Sequence, residues 1–157
     1  MTHDEMRRLV AAHMDAEARH DAVAAASYYV DDGYYEVTAL GLRFDGRAAV
    51  AMQYAASDAA MPDSRVTMDG EVIDGDRLVH WGTFHGSVTG ALLGQNPTGR
   101  TVALPFIAII EFAGGRLRGE RLYYDLATLC DQAGIKLGAV REAAGAMQAA
   151  LASSAAA

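Results

Sequence analysis

"GRLRGERLYYDLATLCDQAG", residues 115 to 134, holds two different periods. As far as Asp125 it carries the β-branching-tolerant, aromatic composition of a strand, and from "LATLCDQAG" onward its apolar residues recur at helical spacing. Asp125 therefore sits where a strand gives way to a helix. In a regular strand Arg121, Tyr123 and Asp125 project to one face. If that face lines a cavity, Asp125 is a carboxylate partly desolvated by apolar walls, with a raised pKa suited to a general base near neutral pH. An aspartate immediately before "LATL" is also a favourable N-cap that accepts from a free backbone N–H. Both readings stand on the sequence.

Working backward, residues 65 to 73, 77 to 90, 100 to 112 and 116 to 125 read as four strands. They are separated by "DGD", "GQNPTG" and "AGG", whose Gly, Asn and Asp residues suit tight connections. Strands joined this way make an antiparallel meander. Before it, Met6, Leu9, Val10 and Met14 predict an amphipathic helix from Asp4 to about Arg19. A second helix is expected from about Asp21 to "DDG", where Gly33 can take the left-handed conformation. "YYEVT", residues 34 to 38, reads as a strand, "FDGR" as a turn, and Arg47 to about Ser57 as a third helix closed by Pro62.

This order predicts an α+β fold in which N-terminal helices lie on one face of a curved, mainly antiparallel sheet. A strongly bent sheet with helices across its open side forms a cone, and a cone encloses an apolar cavity fit for a small molecule. One domain is expected over residues 1–134. Residues 135–157 form an alanine-rich C-terminal helix or tail, and because "EAAGAMQAALASSAAA" offers no large apolar face, a frayed or disordered end is expected there.

Thirteen basic against twenty acidic residues give a net charge of -7, which opposes binding to nucleic acid or to anionic lipid. No run of about 18 apolar residues is present to span a bilayer. "MTHDEMRRLV" lacks the basic and then apolar layout of a secretion signal, so a cytoplasmic location is expected. Cys130 is the sole cysteine, which excludes an internal disulfide. His13 and Glu17 are one helical turn apart with His20 near, but the sequence marks no third ligand, and neither a metal nor a cofactor is expected.

In "VHWGTFHGSVTG", residues 79 to 90, alternation separates Trp81, Thr83 and His85 from His80, Gly82 and Phe84. An indole is costly to expose, so Trp81 and His85 are expected inward, with His85 orienting a substrate oxygen. Glu111 ends the apolar run "VALPFIAII"; it either pairs with Arg118 or Arg121 across the "AGG" turn or stands as a second carboxylate at a pocket rim. Tyr54, Tyr123, Tyr28 and Tyr35 are candidate hydroxyl donors to a carbonyl, with burial of the ring in the core as the alternative for each.

Two phrases carry a family likeness. "GQNPTGRTVALPF" and "GRLRGERLYYDLATLCDQAG" resemble a loop and the closing segment of the SnoaL-like polyketide cyclases, within the superfamily of nuclear transport factor 2 and ketosteroid isomerase. The likeness covers about residues 5 to 134 and implies the nuclear transport factor 2-like cone. It also implies a cofactor-independent cyclase, isomerase or dehydratase that acts on a hydrophobic carbonyl compound. Asp125 falls where the family has its acid/base aspartate. Glu111 and Val88 stand where the family has histidines. The resemblance further implies a homodimer formed through the outer face of the sheet; apolar residues on both faces of "VALPFIAII" agree with that. A non-catalytic ligand-binding or assembly domain of the same fold is the alternative.

Overall fold

A computed structural model describes residues 1–155. The chain runs α1 (His3–Ala18), α2 (Ala22–Ser27), β1 (Tyr29–Val37), β2 (Leu42–Asp45), α3 (Arg47–Ala60), β3 (Arg65–Asp74), β4 (Arg77–Ser87), β5 (Thr101–Ala113), β6 (Arg116–Tyr124), α4 (Leu126–Ala133) and α5 (Leu137–Ala155). The strands form one open, curved sheet in the order β2-β1-β6-β5-β4-β3. All neighbours are antiparallel except β1 and β6, which run parallel. The predicted α+β architecture and its meander are present.

Local chemistry explains the helix starts. Thr2 and Glu5 form a capping box on α1: the Thr2 hydroxyl accepts from Glu5 N–H while the Glu5 carboxylate accepts from Thr2 N–H. Asp21 caps α2 by accepting from Ala24 N–H. Gly46, at φ 84°, turns the chain from β2 into α3.

Two elements differ from expectation. The second helix stops at Ser27, because the alanines that favour it give way to Tyr28, Tyr29 and Val30, which favour a strand. "DDG" is not the helix end but a bulge inside β1, between Tyr29 and Tyr34. Gly33 is needed there for space, since a Cβ would lie 2.9 Å from the Val30 carbonyl oxygen. The first half of "FDGR" closes a strand: in β2, Leu42 and Phe44 point into the core, Arg43 and Asp45 point out, and all four pair with β1, while Gly46 and Arg47 lead into α3.

The C-terminal segment is helical over Leu137–Ala155, with Val140 and Ala144 buried and Leu151 packed against the core. A small apolar stripe suffices because it closes over β2 and α4. Ala156 and Ala157 lie outside the described residues.

The core fills the concave side of the sheet. Met6, Val10, Val50, Leu78, Ile110 and Leu117 pack beneath α1 and α3, and a second cluster beneath α4 and α5 contains Val88, Leu104, Leu129 and Val140. β4 and β5 pair without a break from Arg77↔Glu111 to Ser87↔Thr101, whereas register shifts interrupt β3–β4 after Met68 and β5–β6 after Glu111. Such bulges sharpen the bend that lets the sheet wrap the helices.

Gly82 sits opposite the first of these shifts, and a Cβ there would lie 2.1 Å from the Thr67 carbonyl oxygen. Gly82→Ala is expected to destabilise the fold by about 1–3 kcal/mol, the range for overpacking. Gly145, in α5 with open space around it, predicts the reverse: Gly145→Ala adds about 0.5–1 kcal/mol of helix stability. Urea unfolding of the two variants should move the midpoint in opposite directions.

Candidate functional site

The inner face of the sheet carries a buried polar cluster within otherwise apolar surroundings. β6 contributes Glu120, in alternation with Leu122 and Tyr124, and Glu120 is 7% exposed. α1 contributes His13, at 1%, and Glu17, one turn later. β1 adds Tyr29, and α3 adds Tyr54.

Their polar atoms converge. The Tyr29 hydroxyl donates to Glu120 Oε2 at 2.9 Å and lies 2.9 Å from the Tyr54 hydroxyl, which is itself 3.4 Å from the same carboxylate oxygen. His13 Nε2 is 2.9 Å from Glu17 Oε1, 3.3 Å from the Tyr54 hydroxyl and 3.7 Å from Glu120 Oε2. On the other side of the ring, Nδ1–H donates to the Ala25 carbonyl at 3.1 Å.

Burial works against charge on His13, but the Glu17 and Glu120 carboxylates override it and push the imidazole up to about 10. Burial pushes Glu120 upward as well, and the bonds and charge of His13, with help from Tyr29, hold it below its usual range. The phenols of Tyr29, Tyr35 and Tyr54 are driven well above theirs, chiefly by burial. All three remain neutral donors at physiological pH.

Beside this cluster an open pocket of about 280 Å³ lies between α1 and the β3–β4 hairpin. Val10, Ala11, Met14 and Met68 form much of its wall, Arg7 stands at its rim, paired with Glu71 at 2.6 Å, and His80 reaches it from β4. His80 is 5% exposed and meets the Phe106 ring edge-on at 5.9 Å. Burial pulls its pKa below the ordinary value, against the opposing pull of Glu120 and Glu17. His80 is thus a neutral imidazole at neutral pH.

Of the site residues expected from sequence, Tyr54 alone enters this interior. Trp81 and His85 point the other way, to the convex face. The correction has a physical cause: Trp81 lies flat over Gly70 on β3, where an added Cβ would lie 2.5 Å from the indole, so the missing side chain seats the ring outside. His85 bonds to Thr67 at 3.2 Å and borders a separate hollow of about 370 Å³ with Asp63, Arg65 and Ser87. Tyr123 is exposed on the same convex face.

Glu111 is also outside. It accepts from Arg121 at 3.1 Å and from the Tyr34 hydroxyl at 3.0 Å, with Arg77 at 3.6 Å, while Arg121 also holds Glu36 at 3.2 Å. The ion-pair alternative for Glu111 describes this geometry, with Arg121 as partner; Arg118 instead holds Asp32. Asp125 is exposed, and its carboxylate accepts from Ala127 N–H at 3.1 Å and from the Thr128 hydroxyl at 2.6 Å. Those two bonds hold its pKa below the usual value. It has the geometry of the cap of α4.

The residues that sequence reasoning missed are His80, Glu120 and Tyr29. A signal for Glu120 was available: it shares strand parity with Leu122 and Tyr124, the apolar side of β6.

Known proteins place this architecture. A protein with a ketosteroid isomerase-like fold from Catenulispora acidiphila, solved in complex with trimethylamine, is 24% identical, with 83% of this chain and 95% of that chain covered at a TM-score of 0.71. AclR, a candidate hydroxylase from Streptomyces galilaeus, is 17% identical over 85% and 98% of the two chains, with a TM-score of 0.73. IdmH, a candidate polyketide cyclase from Streptomyces antibioticus, is 20% identical over 82% and 98%, with a TM-score of 0.67. At these identities the likeness is one of fold: the protein has the ketosteroid isomerase-like fold. The sequence profile of the SnoaL-like polyketide cyclases matches residues 7–133, and the chain belongs to that family. A comparison with curated proteins finds no match. Among the described residues no helix is long and apolar enough to cross a membrane.

The cap geometry of Asp125 predicts a pH signature. A carboxylate whose folded pKa is depressed contributes stability that is present above the unfolded value and is lost as pH falls through the folded one. Asp125→Ala should therefore be less stable than the parent at neutral pH, and the deficit should close as the pH falls below about 4. Urea unfolding across pH reads this directly; a deficit that widens in acid would contradict the cap.

Proposed function

We propose that this chain is a small-molecule enzyme that moves a proton next to a carbonyl of an apolar substrate, with His80 as the base in place of Asp125. The observation that carries the reading is the neutral, buried imidazole of His80 on a pocket where Val10, Ala11, Met14 and Met68 form an apolar wall and Arg7, Asp69 and Glu71 a charged one. A base must be unprotonated at working pH and within reach of the substrate, and His80 meets the first condition because burial disfavours its charged form. Arg7, at the rim, offers N–H donors to the oxygen of a developing enolate, where electrostatic stabilisation has its largest effect. Cyclisation, isomerisation and dehydration share this first step. Asp125, exposed and committed to α4, is assigned to capping.

A non-catalytic binding or assembly role is the second reading. It is favoured by the completeness of the interior network: among the described residues no buried side-chain polar atom lacks a partner. Deuterium exchange separates the two. Proton NMR of a panel of cyclic 1,3-dicarbonyl and enone compounds in D2O should show protein-catalysed loss of the α-proton signal. His80→Gln should slow that loss by about 100-fold or more, and Asp125→Asn should leave it in place. The parent rate should stay level as the pH drops to about 6.5 and decline only below it, because the lowered pKa of His80 keeps the base form populated. If no compound exchanges faster with the protein than without it, the binding reading takes over.

The same reading includes a homodimer. Trp81, Ile107 and Tyr123 are cross-strand partners on β4, β5 and β6, and together they lay an apolar row, each 38–48% exposed, across the convex face. A second copy placed there would cover it. Light scattering is expected to give twice the chain mass for the parent and one chain mass for Trp81→Glu; a monomeric parent would refute the interface.

A further inference from the structure

The cluster of His13, Glu17 and Glu120 has a geometry that the proton-transfer reading does not use. We propose that these three side chains bind one divalent first-row transition-metal ion of the zinc type. The sequence supplies His13 and Glu17 one turn apart on α1, and the fold supplies the third ligand from β6.

The donor atoms are spaced as such an ion requires. Metal–ligand bonds of about 2.0–2.1 Å in a tetrahedral site put neighbouring ligand atoms about 3.3 Å apart. Around His13 Nε2 the carboxylate oxygens of Glu17 and Glu120 lie at 2.9 and 3.7 Å, on either side of that value. One donor atom from each residue lies within 4.8 Å of the others. The Tyr54 hydroxyl, 3.3 Å from Nε2 and 3.4 Å from Glu120, stands beside the fourth position.

Three further features fit a metal centre. The bond from His13 Nδ1–H to the Ala25 carbonyl fixes the ring so that Nε2 faces the carboxylates, the usual outer-sphere arrangement of a ligating histidine. Tyr29 anchors Glu120 in the same manner. Charge also favours it: two carboxylates face a single imidazole, and a dication neutralises them where one imidazolium leaves an excess negative charge in a buried place. The other titratable groups facing the cluster are Tyr28, whose ring meets His13 edge-on at 5.9 Å, Tyr35 from β1 and His80 from β4; neither of the last two is anionic at neutral pH. Glu17 keeps 30% of its side chain exposed, which gives an ion a path in from solvent.

The donor set is one nitrogen and two carboxylates without sulfur, which suits zinc, cobalt or manganese better than a soft ion. The site lies behind the pocket, and its occupancy can be measured with no substrate present. Its failure therefore leaves the assignment of His80 untouched, and the reverse also holds.

The test uses the full chain stripped with a chelator and dialysed. Co2+ should give visible d–d absorption that saturates at one equivalent per chain and is displaced by Zn2+. Glu17→Gln, which alters a residue that reaches the surface, should weaken Co2+ binding about tenfold or more while leaving the circular dichroism unchanged. Glu120→Gln should weaken it further. His20→Gln removes the exposed His20–Asp58 pair and should change nothing. The proposal is overturned if no absorption develops at one equivalent, or if the affinity follows His20 and not Glu17.

Discussion

Burying the carboxylate of Glu120 is the constraint on which the rest of the interior depends. A lone carboxylate so far from water would be very unfavourable, so the fold must bring partners to it. It does so from three different elements: His13 from α1, Tyr29 from β1 and Tyr54 from α3. The positions of α1 and α3 over the sheet are both tied to one oxygen of β6. Removing one member of such a buried set typically costs about 3–5 kcal/mol, since the remaining charge is left uncompensated, even where the intact set adds little net stability. The cluster thus acts more as a locator than as a source of stability. Apolar packing of the kind made by Val50, Leu78 and Ile110 tolerates small slides of a helix; hydrogen bonds of 2.9 Å do not.

That constraint divides the sheet into two chemistries. The concave face holds buried groups with displaced proton affinities, while the convex face holds half-buried ion pairs in which Arg121 bridges Glu36 and Glu111. Pairs near the surface of this type contribute about 0–1 kcal/mol each. The Arg43 guanidinium lies 3.8 Å above the Tyr34 ring, whose own seat is the open space over Gly119. Tyr34 and Trp81 use the same device: a glycine on the neighbouring strand leaves room for a ring to lie flat against the sheet's outer surface.

This device explains what the sequence made legible and what it hid. Elements with long, clear periods were readable: α1 from Met6, Val10 and Met14, and the meander from its glycine-bearing turns. The sign of each strand's face was harder. Trp81 pulled the reading of β4 inward because an indole is costly to expose, yet Gly70, eleven residues away, provides cover that no local pattern reveals. The face of β6 then followed Asp125, Tyr123 and Arg121, when Leu122 and Tyr124 marked the buried side. A one-residue error in parity exchanges a solvated carboxylate for a buried one. Asp125 and Glu120 are those two carboxylates. The short strand β2 was hidden for a different reason: four residues give too few alternations to outweigh the turn chemistry of Asp45 and Gly46.

The cluster also sets the electrostatics of the pocket. Glu120 and Glu17 each favour the protonated form of His80, against the larger effect of burial. His13 opposes them from between the two carboxylates, and burial then decides the balance toward the neutral ring. A positive charge at the centre of the cluster therefore works with burial to keep the pocket imidazole unprotonated. An imidazolium and a metal dication both satisfy that sign, the dication more strongly at the same distance. The interaction that locates α1 and α3 on the sheet is for this reason also one that favours a neutral imidazole at the pocket.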